Sequence, residues 1–191
     1  MSRSRLEAFS DGVIAIIITI MVLELKVPEG ADLHDLKPLL PTFLTYALSF
    51  VFVGIYWSNH HHLFHAVDRV SGGILWANLH LLFWLSLVPF VTAWLGENQS
   101  SRWPTAIYGL DMLGAAIAFT VLVRTIIAHQ GPHSKLKAAV GRDRKGMVSL
   151  LAYLAAVPLA FLNQWISDAI FVSVACIWLV PDRRIEVVLK D

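Results

Sequence analysis

In 191 residues the chain carries 57% AVILMFWYC and only 15% Asp, Glu, Lys or Arg, with a formal net charge of +1, and its mean hydropathy is +0.63. Soluble domains average roughly 25% charged residues, so the composition excludes a disordered chain and a water-soluble enzyme domain. The near-zero charge excludes a nucleic-acid partner bound through basic charge, and what remains is an integral membrane protein.

A bilayer core about 30 Å thick is crossed by roughly 20 apolar helical residues. Six runs approach that length: Leu6–Val27, Pro38–Asn59, Ile74–Leu95, Pro104–Ala128, Met147–Trp165 and Asp168–Pro181. The last two share a short stretch and leave only an Asn163–Asp168 turn between them. The first run follows Arg5 directly and ends in Glu24-Leu25-Lys26 without a small-residue cleavage site, which argues against a signal peptide. Pro89 and Pro158 interrupt the third and fifth runs and predict kinks. Trp57, Trp76, Trp94, Trp103, Trp165 and Trp178 fall near helix ends, where indole rings favour the membrane interface.

Cytoplasmic loops carry the excess of Lys and Arg. With the N-terminus inside, the inner segments hold Arg3, Arg5, Arg69, Arg124, Lys135, Lys137, Arg142, Arg144, Lys145, Arg183, Arg184 and Lys190, against Lys26, Lys37 and Arg102 outside. This bias predicts an all-α, polytopic membrane protein with six transmembrane helices, both termini cytoplasmic, in a single domain over residues 1–191. The inner loop His129–Lys145 is basic, with Gly131, Pro132 and Gly141, and reads as a flexible connection beside anionic lipid. The outer loop after the first helix carries Glu24, Glu29, Asp32 and Asp35, a negative field that raises the local cation concentration.

At about 100° per residue, Phe9, Gly12, Ile16, Thr19 and Leu23 form one narrow stripe on the first helix, with Ile20 at its edge. The stripe is apolar, bears one hydroxyl and has a glycine toward the inner end, so a helix–helix seam is one reading of it. Ser10 and Asp11 point away from it. Asp11 lies about 9 Å deeper than Arg5 at about 1.5 Å per residue. His80 on the third helix reaches a similar depth, so an Asp11–His80 pair with Asn78 nearby would satisfy both groups.

The segment Arg5-Leu6-Glu7-Ala8-Phe9-Ser10-Asp11 resembles the R-x-x-x-F-S-D signature that opens the first helix of the transmembrane protein 175 family of potassium channels, known from lysosomes and prokaryotes. The continuation Gly12-Val13-Ile14-Ala15-Ile16 and the six-helix plan fit as well. The resemblance implies a prokaryotic plasma-membrane channel. Animal members hold two six-helix repeats per chain and pair as dimers, so one repeat here implies a homotetramer with the first helices around the axis. It further implies a pore lined by Ile16, Thr19 and Leu23, with Ile20 beside them; the motif residues Arg5, Phe9, Ser10 and Asp11, together with the depth-matched His80, form the expected interhelical network. T-V-G-Y-G is absent, so a carbonyl-lined filter is not expected. No helix carries the repeated arginines of a voltage sensor. The expected function is a weakly selective potassium leak, with potassium ions, further copies of the chain and the bilayer as partners.

Other polar groups leave an alternative. His60, His61, His62 and His65 cluster at the inner end of the second helix. His61 and His65, four apart, share a face on which a metal would sit, but no acid or cysteine completes a set. Histidines of ordinary pKa, about 6.5, also allow proton sensitivity. Asp111 lies about two turns inside the fourth helix, too far outward to meet His80. An intramembrane acid suits a proton relay or a satisfied interhelical contact. The alternative function is therefore a proton-permeable channel or proton-coupled transporter using Asp111 and the histidines. No catalytic constellation, metal set or cofactor motif is visible, and the expectation is a protein without enzyme activity, metal or cofactor.

Overall fold

The structure, a computed structural model, describes residues 2–67, 69–99, 101–131, 136–137 and 143–179. Six long helices account for most of them: α1 (Arg3–Leu23), α2 (Leu40–His65), α3 (Gly72–Glu97), α4 (Arg102–Gln130), α5 (Arg144–Leu162) and α6 (Gln164–Leu179). A 3-10 turn, Leu33–Leu39, leads into α2. Five of the helices are long and apolar enough to cross a membrane, whereas α6 has only 16 residues. We call the side at which α1 begins the inner side.

Helix ends follow local chemistry. The first helix stops at Leu23, four residues before the predicted end, where the Glu24 N–H closes the last turn on the Ile20 carbonyl and the Leu25 N–H bonds to Val22. The helix α2 runs six residues past the predicted Asn59 and takes all four clustered histidines into its last two turns. Ser71 caps α3 by accepting from the Ile74 N–H at 3.3 Å, and Asp143 caps α5 by accepting from Gly146 at 2.8 Å. Gly131 ends α4 at φ 87°, in the left-handed region that only glycine enters without strain. Both Pro89 and Pro158 lie inside continuous helices.

The predicted Asn163–Asp168 turn is shorter than expected. A single residue, Asn163, links α5 to α6, and its extended backbone turns the chain while its Oδ1 accepts from the Trp165 N–H at 3.0 Å. Asp168 therefore lies inside α6. The inner charges Lys135, Arg142, Arg183, Arg184 and Lys190 lie outside the described residues, as do Pro132, Gly141 and the predicted end at Pro181.

The bundle is built around α3 and α4, the two helices with the largest buried share. Helix α1 packs on α2 and α3, while α5 and α6 pack on the far side of α4. Tyr108, Phe52, Phe64, Phe171, Leu81 and Leu85 are fully enclosed. At the outer side, Lys26 pairs with Glu97 at 2.6 Å, a bond that raises the lysine's pKa, and Thr42 donates to the Gly96 carbonyl at 3.0 Å.

Close approach of α3 and α4 depends on Gly114. A methyl group there would overlap the indole ring of Trp84, and the ring is held by its own hydrogen bond to His80 at 3.0 Å. Gly114→Ala should therefore lower stability by about 1–3 kcal/mol through overpacking. A depressed thermal unfolding midpoint in detergent checks this, and Trp84→Leu in the same chain should recover part of the loss.

Candidate functional site

Helix α1 has two faces of different fate. Leu6, Ser10, Ile14, Ile17 and Met21, spaced three and four apart, are buried against α2 and α3. The stripe of Phe9, Gly12, Ile16, Thr19 and Leu23 lies about 140° around the helix at about 100° per residue and is exposed along its whole length, Ile16 at 60% and Leu23 at 76%. A seam with another helix of the same protomer is thereby excluded: a Cβ on Gly12 would meet nothing within 4 Å. The Thr19 hydroxyl donates to the Ala15 carbonyl at 2.8 Å, which leaves its oxygen lone pairs free to accept.

The buried face carries a polar chain at its inner end. Ser10 Oγ donates to the Leu6 carbonyl at 2.9 Å and accepts from Asn78 Nδ2 at 3.0 Å. Asn78 Oδ1, which only accepts, takes a hydrogen bond from His60 Nε2 at 2.7 Å. Phe64 stacks on His60 with ring centroids 4.4 Å apart. One chain of hydrogen bonds thus joins α1, α3 and α2, with Ser10, Asn78 and His60 all buried.

The expected Asp11–His80 pair does not form within the protomer. Asp11 Oδ1 accepts instead from Trp57 Nε1 at 3.0 Å, and His80 Nε2 accepts from Trp84 Nε1 at 3.0 Å. Depth matched, but the two side chains take partners elsewhere: Asp11 turns to α2, and His80 bonds one turn along its own helix. Arg5 is exposed and makes no hydrogen bond or ion pair among the described residues, while the neighbouring Arg3 pairs with Glu7 at 3.3 Å and donates to the His65 carbonyl at 3.3 Å.

The histidine cluster also divides. His61 and His65 contact each other at 3.1 Å between Nε2 atoms, His62 bonds back to the Ser58 carbonyl, and His60 faces the interior. No group of three or more His, Cys, Asp or Glu with metal-binding geometry occurs among the described residues. Helical phase could have separated them: Val53, Trp57, His60 and Phe64 share one face of α2, and His60 lies about 100° from His61. The Trp57 indole, placed by its position near a helix end at the membrane interface, donates to the acid of the motif.

Apolar helices of membrane-spanning length, polar groups satisfied across helices and an outward apolar stripe define a polytopic α-helical membrane protein. Residues 5–89, which span the motif, α1, α2 and most of α3, match the family model described as endosomal/lysosomal potassium channel TMEM175. A potassium channel from Chryseobacterium sp. (strain P1-3) is 53% identical over 191 residues, covering all of both chains. The crystal structure of a lysosomal potassium-selective channel TMEM175 homolog from Chamaesiphon minutus superposes with a TM-score of 0.83 at 30% identity, covering 94% of this chain and 97% of that one. The human endosomal/lysosomal proton channel TMEM175 is 37% identical over 83 residues, 37% of this chain and 16% of its own. The chain belongs to the TMEM175 family.

The buried chain predicts an asymmetry between two substitutions on α3. Asn78→Leu leaves the His60 Nε2 without its partner and strips Ser10 of its one interhelical bond, and should cost about 1–3 kcal/mol. His80→Leu, at an exposed position, should cost well under half as much. Thermal unfolding of both variants, side by side, measures the difference.

Proposed function

We propose that the chain is one subunit of a homotetrameric, potassium-permeable cation channel in the prokaryotic plasma membrane, with α1 from each of four copies lining the pore. The observation that carries this reading is the apolar face of α1. In a chain of the TMEM175 family it is exposed from Phe9 to Leu23 and has no partner within the protomer. One helix cannot enclose water, so a pore on this face requires further copies of the chain.

On this reading the Ile16 side chains form the apolar ring, and Thr19 and Leu23 form rings farther out. Ile20, at 41% exposure, stands at the edge of the passage. An isoleucine ring offers no ligand to a dehydrated ion, so closure acts by dewetting and opening must admit a partly hydrated cation. Potassium holds its water less tightly than sodium, so a narrow apolar ring favours it modestly. The Thr19 oxygen, with its proton already committed to the Ala15 carbonyl, is oriented to replace water on a passing cation. Without a helix of repeated arginines, opening has no voltage sensor to follow.

Purified protein in liposomes under opposed potassium and sodium gradients tests the class: the reversal potential should follow potassium. Ile16→Asn hydrates the ring, and a barrier lowered by about 1.4 kcal/mol raises conductance about tenfold, with discrimination between the two ions reduced. Unchanged conductance and permeability ratio in that variant would remove Ile16 from the filter and put the stripe against lipid.

A further inference from the structure

Asp111 is 2% exposed and has no hydrogen-bond partner among the described residues, so the interhelical contact expected of it is not made within the protomer. Asp168, on the second turn of α6, is placed differently. It borders a cleft of about 340 Å³ on the outer side of the bundle, whose other walls come from α2 and the end of α3.

The way α6 begins sets this face. The one-residue link at Asn163 starts the helix at Gln164, so Trp165, Asp168 and Val172, spaced three and four apart, fall on one side of it, and all three border the cleft. Ser167 lies about 100° round the helix from Asp168. It is buried, and its hydroxyl donates to the Ala156 carbonyl of α5 at 2.7 Å. That bond pins the rotation of α6 and keeps Asp168 turned to the cleft.

The chemistry of the cleft selects its occupant. Asp168 makes no hydrogen bond or ion pair among the described residues, and Lys26, a cation of the same side, is held by Glu97 at 2.6 Å. Thr45 Oγ1 donates to the Pro41 carbonyl at 3.2 Å, which leaves its lone pairs to accept, and Gln99 adds a side-chain carbonyl at the rim. An ionised carboxylate only accepts. An anion entering here would meet Asp168 at close range, and an uncharged hydrocarbon would displace water while leaving the carboxylate without a partner. A cation with several N–H donors satisfies the acceptors. Leu44, Leu48, Leu95 and Phe171 make the rest of the wall apolar, so a hydrocarbon chain fits beside the charge. The volume falls in the range of small-molecule pockets, about 300–1,000 Å³. Trp165, 59% exposed at the cleft, offers an indole face to a cation.

We propose that this cleft binds an amphipathic primary amine, its ammonium group on Asp168 and its hydrocarbon chain along Leu48, Leu95 and Phe171. The three N–H bonds of a primary ammonium match the carboxylate, the Thr45 oxygen and the Gln99 carbonyl. A soluble alkylamine and the headgroup of an aminophospholipid share this chemistry. An acid within a membrane-spanning bundle calls for a partner, and here the partner comes from outside the protein.

The test uses the full-length protein in phosphatidylcholine nanodiscs at neutral pH, with octylamine titrated and the thermal unfolding midpoint read. The midpoint should rise with ligand concentration as binding to the folded state requires, and octanol, of equal chain length and no charge, should not reproduce the rise. Asp168→Asn should need about tenfold more octylamine for the same shift, the factor that about 1.4 kcal/mol of lost pairing gives, and Asp168→Glu should stay near wild type. No rise in wild type, an equal rise with octanol, or an unchanged response in Asp168→Asn would each overturn the proposal. Should Asp168→Asn fail to fold, Val172→Trp decides. Val172 is 49% exposed, and an indole there fills the cleft and should weaken the octylamine response; an unchanged response overturns the site. Replacing part of the lipid by phosphatidylethanolamine separates the two sources: a higher octylamine requirement identifies the headgroup as the occupant, and an unchanged one identifies a soluble amine. None of these readouts depends on the assignment of Ile16 to the pore, so failure of either leaves the other standing.

Discussion

In hydrocarbon, a polar group without a partner costs more than a missing apolar contact, and this constraint sets how α1 sits in the protomer. Ser10 lies on the buried face of α1, and its hydroxyl is satisfied by Leu6, Asn78 and, through Asn78, by His60. The chain of bonds fixes the rotation of α1 relative to α2 and α3. Turning the helix by one residue would unmake the buried Ser10–Asn78 bond to α3 and the Asp11–Trp57 bond to α2. The exposed stripe from Phe9 to Leu23 is thus the geometric complement of a satisfied polar chain on the other side.

That arrangement differs from an amphipathic helix of a soluble protein, where an apolar face seeks the core and a polar one seeks water. In α1 the Ser10 hydroxyl near the inner end turns inward and the face from Phe9 to Leu23 is greasy. Such a face needs lipid or other copies of the same helix to cover it. The passage we propose is therefore built from residues that lie outside the protomer's buried core, where substitution costs the bundle less than it would inside.

Two buried polar systems join the helices of the protomer. At the inner end, Ser10, Asn78 and His60 use their bonding capacity on one another, and such a network holds helices in place. Midway through, Thr92, Ser49 and Tyr108 form a second chain that stops short of Asp111. This second chain ties α3, α2 and α4 together.

Much of the architecture was legible in the amino-acid order. Runs of apolar residues marked all six helices, because a helix in a bilayer must be apolar nearly all round, and the motif from Arg5 to Asp11 marked the family. The stripe on α1 followed from helical phase alone. Partner choice did not: Asp11 and His80 share a depth, but depth says nothing of azimuth, and a tryptophan N–H from α2 and another from the next turn of α3 took the two acceptors. His60 looked like one of four clustered histidines until the packing of α1 and α3 against α2 placed it inside and the rest at the rim. The one-residue link at Asn163 was likewise invisible, since an apolar count cannot tell an extended residue from a longer turn. Composition and periodicity, then, determined which segments span and which face of α1 is apolar, because both are one-dimensional properties of a helix. Which polar groups meet, and that Asp111 is buried with no hydrogen-bond partner among the described residues, depended on the rotation and spacing of neighbouring helices, and those exist only once the helices have packed.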